Sequence, residues 1–420
     1  MASTPLPIAN FLLLHAGWWA RPAALLGAFA CLLLCAGVAA TIAAPLHRLA
    51  FVAAPSVLLL LLMLLSVPIG LTVIVTVVMY GLGLTVVHRV HHAPGRRDFL
   101  LRSGSIVGGA AGLLLLYEVR PLLHPAVTRR LFPFRRPTDL NIPGLSELVT
   151  PVDGFYVNDQ VLEYPIAGTG WRLAVDGEVT HPLSLGLDDL LRGAEQRYVT
   201  MECVDNPVGG PLIGNALWTG VPAFRVLSLA GARGATVQID GLDGYSESVP
   251  VEILRRTDAL IAVGMNGVML DRAHGYPARL LIPGLYGFKS VKWLSRLRVR
   301  ASAGSGHWAA HGWADMPVIQ TTTRIDVVRR VPSGTLAAGI AFAGNRGVHA
   351  VQVRVTGGHW LQAEIGPRLG PDAWVQWRIV LPARRGRIEA RTIDGSGAIQ
   401  NARVHGAYPN GASGWASADI

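Results

Sequence analysis

Arg197-Tyr198-Val199-Thr200-Met201-Glu202-Cys203 runs directly into Val204-Asp205-Asn206-Pro207-Val208-Gly209-Gly210, and the two halves have different characters. The first is rich in β-branched and aromatic residues and reads as a strand; the second has the composition of a loop. Cys203 therefore stands at a strand end, where a rigid element carries its thiol to an edge at which ligands bind. The other cysteines, at 31 and 35, lie in an apolar run and read as small hydrophobes, so there is no disulfide framework. Taken alone, a cysteine in this position is more often a buried structural thiol than a reactive one. Its neighbours change that balance.

Upstream, Trp171-Arg172-Leu173-Ala174-Val175-Asp176-Gly177 alternates toward a turn, and Leu185 to Leu191 has a short helical pattern. Strands and short helices thus mix in one α+β region. Downstream come His274-Gly275-Tyr276-Pro277-Ala278-Arg279 and then Pro283-Gly284-Leu285-Tyr286-Gly287-Phe288-Lys289-Ser290-Val291-Lys292-Trp293-Leu294. Lys289 and Lys292 are the only lysines among 37 basic residues. Two compact ammonium groups beside a Gly-x-x-Gly turn suit a phosphate or similar anion; the plainer alternative is two surface lysines. From about Asp315 the pattern is all strand. Val351, Val353 and Val355 alternate with polar residues before the turn Gly357-Gly358, and further strands are expected near Trp374 to Leu381 and Gly386 to Asp394. Short strands at this spacing indicate an immunoglobulin-like β-sandwich of about 100 residues.

The N-terminal part is of another kind. Ala23 to Ala44 carries no charge over 22 residues, long enough for a spanning helix, and Phe51 to Val87 adds 37 apolar residues interrupted near Ser66, Pro68 and Gly70. The second run reads as two helices or a re-entrant hairpin. Arg96-Arg97-Asp98-Phe99-Leu100-Leu101, ahead of the glycine-rich stretch Ser103 to Tyr117, resembles a twin-arginine export signal, here internal; the other reading is a stop helix obeying the positive-inside rule. Both put the following chain on the extracytoplasmic side. The formal charge of +10 has its source here, since nine arginines between His88 and Arg136 face only Asp98 and Glu118. No nucleic-acid-binding motif accompanies them. His47, His88, His91 and His92 flank the apolar runs, where edge histidines are usually solvated and seldom hold haem. Pro121 to Gly154, rich in proline and arginine, reads as a linker lying on the next domain.

Cys203 together with His274, Arg279 and Lys292, at spacings of 5 and 18 residues, makes the chain resemble the sulfite oxidase family of molybdopterin-dependent oxidoreductases, particularly bacterial membrane-anchored members. The resemblance covers about residues 150–420. It implies Cys203 as the molybdenum ligand and His274, Arg279 and Lys292 as contacts to the pterin phosphate. It also places Asp243, Ser290 and the stretch Phe155-Tyr156-Val157-Asn158-Asp159 along the pterin. The chain departs from sulfite-oxidising members at three places. Asn158 stands where they carry a substrate-binding arginine, Trp313 where they carry an active-site tyrosine, and Pro207 replaces the arginine after Cys-x-x-Asn. A sulfite dianion would lose at least one charge-assisted bond, of the order of 1.5–3 kcal/mol. Asn158 resembles the methionine-sulfoxide-reducing branch, and Trp313 with Trp308 suits a less charged substrate.

The expected architecture is thus N-terminal transmembrane helices over residues 1–120, an α+β sulfite-oxidase-type molybdopterin-binding domain over 121–310, and an immunoglobulin-like β-sandwich over 311–420. The resemblance implies a molybdenum–molybdopterin cofactor and two-electron oxygen-atom transfer. With Asn158, Trp313 and Cys203 as catalytic residues, a small neutral S- or N-oxide is the expected substrate. Sulfite oxidation is the alternative, and a non-catalytic pterin-binding or partner-docking protein is a third. The chain contains no Cys-x-x-Cys-His haem attachment, so a separate redox partner, a cytochrome or a quinone, is implied. A homodimer through the sandwich is left open. The expected location is the cell membrane, multi-pass.

Overall fold

Period-two alternation builds most of the chain in the computed structural model, which describes residues 134–420 apart from 160, 162, 163 and 303. All of these lie in one compact unit, Thr128–Ile420. The expected spanning segments, the twin-arginine segment, Cys31, Cys35 and the four flanking histidines fall outside the described residues. Among the described residues no helix is long and apolar enough to cross a membrane.

The first elements are β1 (Leu173–Gly177), β2 (Leu183–Leu185), α1 (Leu187–Arg192), β3 (Glu195–Glu202) and β4 (Ile213–Pro222). Then come α2 (Ala223–Leu229), β5 (Thr236–Gly241), β6 (Ser246–Pro250), α3 (Val251–Arg256), β7 (Leu260–Met265), β8 (Val268–Met269), β9 (Arg279–Leu281) and β10 (Leu294–Arg300). One sheet has the order β2-β1-β10-β5-β6, with β1 and β10 parallel; the other runs β3-β4-β7-β8, with β9 paired to β7. β7 is buried along its whole length and β4 along all but its last residue, so both are covered on two faces. Their uninterrupted apolar character reflects that burial. Val175, Ile239, Leu254, Ile261, Leu280 and Leu297 belong to the largest core, which draws on both sheets and on helix α3.

The C-terminal strands are β11 (Thr322–Val331), β12 (Gly334–Phe342), β13 (Val348–Val355), β14 (Leu361–Gln362), β15 (Glu364–Ile365), β16 (Val375–Leu381), β17 (Arg387–Asp394) and β18 (Ala416–Asp419). They form two four-stranded sheets, β11-β12-β16-β15 and β14-β13-β17-β18. Val351, Val353, Trp377 and Ile388 share one core between them. The strands expected from valine alternation and from the Trp374 and Gly386 segments are β13, β16 and β17. Trp374 itself, just before β16, serves a different core with Leu148, Val204 and Tyr286.

The stretch before Gly154 does more than lie on the next domain. Leu148 is only 1% exposed. Its carbonyl accepts from Trp374 Nε1 at 2.9 Å and Asn215 Nδ2 at 2.7 Å, while Leu140 N donates to Gln376 Oε1. The segment therefore stitches β4 to the C-terminal sheets. Proline and arginine content hid this, because the sealing groups are backbone carbonyls with no sequence signature.

Candidate functional site

Strand β3 ends at Glu202, and the loop beyond is closed by backbone bonds from Cys203 N to the Leu212 carbonyl (2.9 Å) and from Asn206 N to the Cys203 carbonyl (3.0 Å). Asn206 fills the loop: its Nδ2 donates to Glu202 Oε1 and its Oδ1 accepts from Leu212 N, each at 2.9 Å. Cys203 is thus presented at a fixed point with its side chain half-buried. Asn158 Nδ2 donates to Cys203 Sγ at 3.1 Å, joining residues 45 apart in sequence. Burial, with the Asp205 carboxylate adding to it, pushes the thiol up to about 12. At neutral pH the free side chain is therefore a thiol, and a bound metal would be what converts it to a thiolate.

Asn158 rides on an extended segment anchored by Phe155, which is 4% exposed. The Phe155 ring meets Trp218 and His274 edge-on at 5.5 and 5.8 Å. It can sit there because Gly214 on β4 has no side chain; a Cβ at that position would lie 2.8 Å from the ring.

The basic residues gather beside this segment. His274 is held by Asp271, whose Oδ1 accepts from both the backbone N and the Nδ1 of His274 at 2.8 Å, and Nε2 faces the Phe155 carbonyl at 3.4 Å. Arg279, at the start of β9, donates to the carbonyls of His274 and Ser290, each at 3.2 Å. Its Nε is buried without a hydrogen-bond partner. Burial lowers its guanidinium to about 10, opposed by Tyr156 and Asp271. Lys292 donates to Asp159 Oδ2 and the Ala273 carbonyl, both at 3.1 Å, and stands 4.5 Å over the Trp293 ring. Burial brings it down to about 8, with Asp159 opposing. Asp243 lies close enough that Lys292 counters the burial that raises its carboxyl, and Asp159 adds to the rise. The Ser290 hydroxyl accepts from Ile282 N at 3.1 Å. Tyr156 senses both groups: burial raises its hydroxyl well up, Cys203 would add to this once ionised, and Arg279 opposes it.

Most of the residues singled out in the sequence are brought together: Cys203 with Asn158, and Phe155, Asp159, Asp243, His274, Arg279, Ser290 and Lys292 in a neighbouring cluster. Trp313 stands farther out. It packs against the cluster of Val204 and Tyr286, and meets Trp308 and Tyr408 edge-on at 6.3 and 5.3 Å. Lys289 corrects the expectation. It is neither a surface residue nor an anion contact, but is sealed at 0% exposure against Glu247. Asp271 and Tyr408 were not found from sequence, whereas Tyr156 came within the stretch Phe155 to Asp159. Asp271 had a detectable signal, since it stands three residues before His274; Tyr408 had none, because it arrives from the far end of the chain.

The donor set fits an anionic cofactor with an N–H-bearing ring. A buried guanidinium N–H without a partner and an ammonium strained by burial suit a phosphate, while the carboxylates of Asp159 and Asp243 suit ring donors. Residues 161–308 match the family described as the oxidoreductase molybdopterin binding domain. The chain is 30% identical over 147 residues to the uncharacterized oxidoreductase YuiH of Bacillus subtilis, covering 34% of this chain and 73% of that protein. It belongs to the sulfite oxidase family of molybdopterin oxidoreductases.

Mitochondrial sulfite oxidase of Mus musculus is 30% identical over 319 residues, 63% of this chain; the chain spans 58% of the mouse protein's length. The sulfane dehydrogenase SoxCD of Paracoccus pantotrophus shares the fold, with a TM-score of 0.57 and 22% identity over 70% of this chain and 90% of that one. As a sulfite oxidase family member, the chain is a molybdenum-cofactor oxidoreductase. Within the family site, the position beside the cysteine sulfur carries a neutral amide, Asn158. Pro207 in the cysteine loop has no N–H to offer and contributes only its carbonyl, which accepts from Gly210 N at 2.9 Å.

Proposed function

We propose that this protein catalyses two-electron oxygen-atom transfer to or from a small neutral S- or N-oxide. The observation that carries the reading is the Asn158 amide held 3.1 Å from Cys203 Sγ. A neutral donor there can orient a polarised S–O or N–O oxygen without the positive charge that a sulfite dianion needs. When bound, molybdenum–molybdopterin supplies the oxygen-atom transfer chemistry.

The chain's own residues prepare the place. Cys203 would ligate the metal, a soft thiolate for a metal already bound by sulfur. Arg279, Lys292 and His274 would hold the phosphate, Asp159 and Asp243 the ring, with Phe155 and Ser290 alongside. Asn158 would orient substrate, and Trp313 with Trp308 would line an apolar approach that excludes water. Electrons would be exchanged with a separate cytochrome or a quinone. We read residues 1–120 as a multi-pass membrane anchor with the catalytic part, 121–310, on the extracytoplasmic side, and 311–420 as an immunoglobulin-like sandwich able to dock a partner or a second copy. The uncharged apolar runs and the juxtamembrane arginines support the anchor; the pair of four-stranded sheets supports the sandwich.

The test is molybdenum per chain in native protein purified in detergent beside Cys203→Ser, with turnover of sulfoxides, N-oxides and sulfite measured in parallel. Near-stoichiometric metal and sulfoxide or N-oxide turnover, both lost in the variant, is the expected result. Rapid sulfite turnover without sulfoxide or N-oxide activity would overturn the substrate assignment.

A further inference from the structure

The sequence singled out two lysines, and the site absorbs only Lys292. Lys289 and Glu247 are both completely buried and lie 2.7 Å apart. The ammonium donates to Glu247 Oε2, to the Ser248 carbonyl at 3.2 Å and to Asp315 Oδ1 at 3.4 Å, which employs all its N–H groups. Glu247 Oε1 accepts from Trp308 N at 3.4 Å and faces the Tyr245 hydroxyl at 2.9 Å. That hydroxyl has a second acceptor in the Phe288 carbonyl, also at 2.9 Å. One buried ion pair thus ties together strand β6, the 3-10 turn Gly287–Lys289 and the loop 304–315.

Two of these pieces lie beside the residues that flank Cys203. A Cβ on Gly287 would lie 3.3 Å from the Glu202 carbonyl, immediately before Cys203, and 3.0 Å from the Tyr156 hydroxyl. Phe288 and Trp313 pack against the same cluster that contains Val204 and Tyr286. The loop 304–315 carries Trp308 and Trp313 and presses so closely on the carboxylate that a Cβ on Gly306 would fall 1.8 Å from Glu247 Oε2. His307 N donates to the Ser246 carbonyl at 3.1 Å, and Ala314 N to the Pro409 carbonyl at 3.0 Å, fixing both ends.

A buried ion pair gains little over an apolar pair of the same volume, because desolvation cancels much of the attraction; what it adds is direction. We propose that Glu247 and Lys289 are positioning residues which, with Asp315, set the loop 304–315 so that Trp308 and Trp313 wall the approach to Cys203 and select substrates by size. The inference deepens the neutral-substrate reading and rests on it for the chemistry of what enters.

The experiment compares full-length holoenzyme in detergent with Asp315→Asn and with the double variant Glu247→Leu/Lys289→Met, which removes the pair but keeps its volume. Amide hydrogen exchange over residues 304–315 should speed up roughly tenfold while β3 and β4 are unchanged, a local loosening rather than global destabilisation. Molybdenum per chain should be unaltered. The preference for dimethyl sulfoxide over a bulky aryl methyl sulfoxide should fall roughly fivefold, through KM rather than kcat. Unchanged loop exchange, or a loosened loop with unchanged preference, overturns the proposal. Should the double variant fail to fold, Asp315→Asn decides alone, since its side chain is 62% exposed. If the native enzyme uses sulfite instead, the neutral-substrate reading fails separately, and the exchange measurement with KM for sulfite still decides the role of the pair.

Discussion

At the residue scale the site is a set of polar groups held in conformations that only burial maintains. Lys292 shows the consequence for pH. Its folded-state value, near 8, lies below the ordinary lysine value, so the charged form is what folding disfavours. In cofactor-free protein this cost is fully present below pH 8 and disappears as pH rises toward the unfolded value. Stability should therefore climb by about 1 kcal/mol per pH unit between roughly pH 8 and 10, and Lys292→Met should abolish that slope in urea titrations. Cofactor retention should move the other way, because a neutral amine no longer attracts phosphate. Molybdenum remaining after dialysis should fall across the same range and should already be low in the variant at pH 7. Lys289 has the same chemistry and a different duty, decided by the acid it faces.

At the element scale the placement of Asn158 depends on β4. This strand is covered on both faces, and Gly214 leaves the hollow into which the Phe155 ring fits. Gly214→Ala should push that ring, and with it the Phe155–Asp159 segment, off the sheet. The overpacking should cost about 1–3 kcal/mol, read as a lowered melting temperature. Turnover should fall further than stability predicts, because Asn158 leaves the cysteine sulfur; Mo content and kcat/KM measured on the same samples separate the two effects. The alternating segments around Val175, Val353 and Leu381 were legible in the sequence as strands, because alternation depends on burial of one face alone. The hollow at Gly214 was not, because it depends on what crosses the strand.

At the scale of the whole molecule, the catalytic sheets and the C-terminal sheets share a core through Leu148, Val204, Tyr286, Ile340 and Trp374. Arg324 reinforces it, donating to the Gly210 carbonyl in the cysteine loop at 3.2 Å, to Ser146 Oγ at 2.5 Å and to Asp326 at 2.6 Å. The region should therefore unfold in one calorimetric transition rather than two. Arg324→Met, which leaves Asp326 with a buried and unpaired charge, should lower its stability by about 3 kcal/mol in urea. At the same junction, burial raises Asp372 to about 6, Arg197 opposing. A raised carboxyl is penalised while charged, that is above pH 6, and is relieved as pH falls toward its unfolded value. Asp372→Asn should thus stabilise by about 2–3 kcal/mol at pH 7 and have little effect at pH 4.

The sequence by itself determined the strand that ends at Cys203, the family resemblance carried by His274, Arg279 and Lys292, and the β character of the C-terminal region. These depend on residue type at short range: alternation for strands, loop composition for a ligand edge, fixed spacing for a motif. Tertiary structure alone decided that Asn158 meets the cysteine sulfur, that Lys289 is sealed against Glu247, and that Tyr408 reaches Trp313. Each of the three requires two distant segments to approach within a few ångströms. Whether a charged side chain meets solvent, a phosphate or a buried carboxylate is settled by that approach, and no local pattern encodes it.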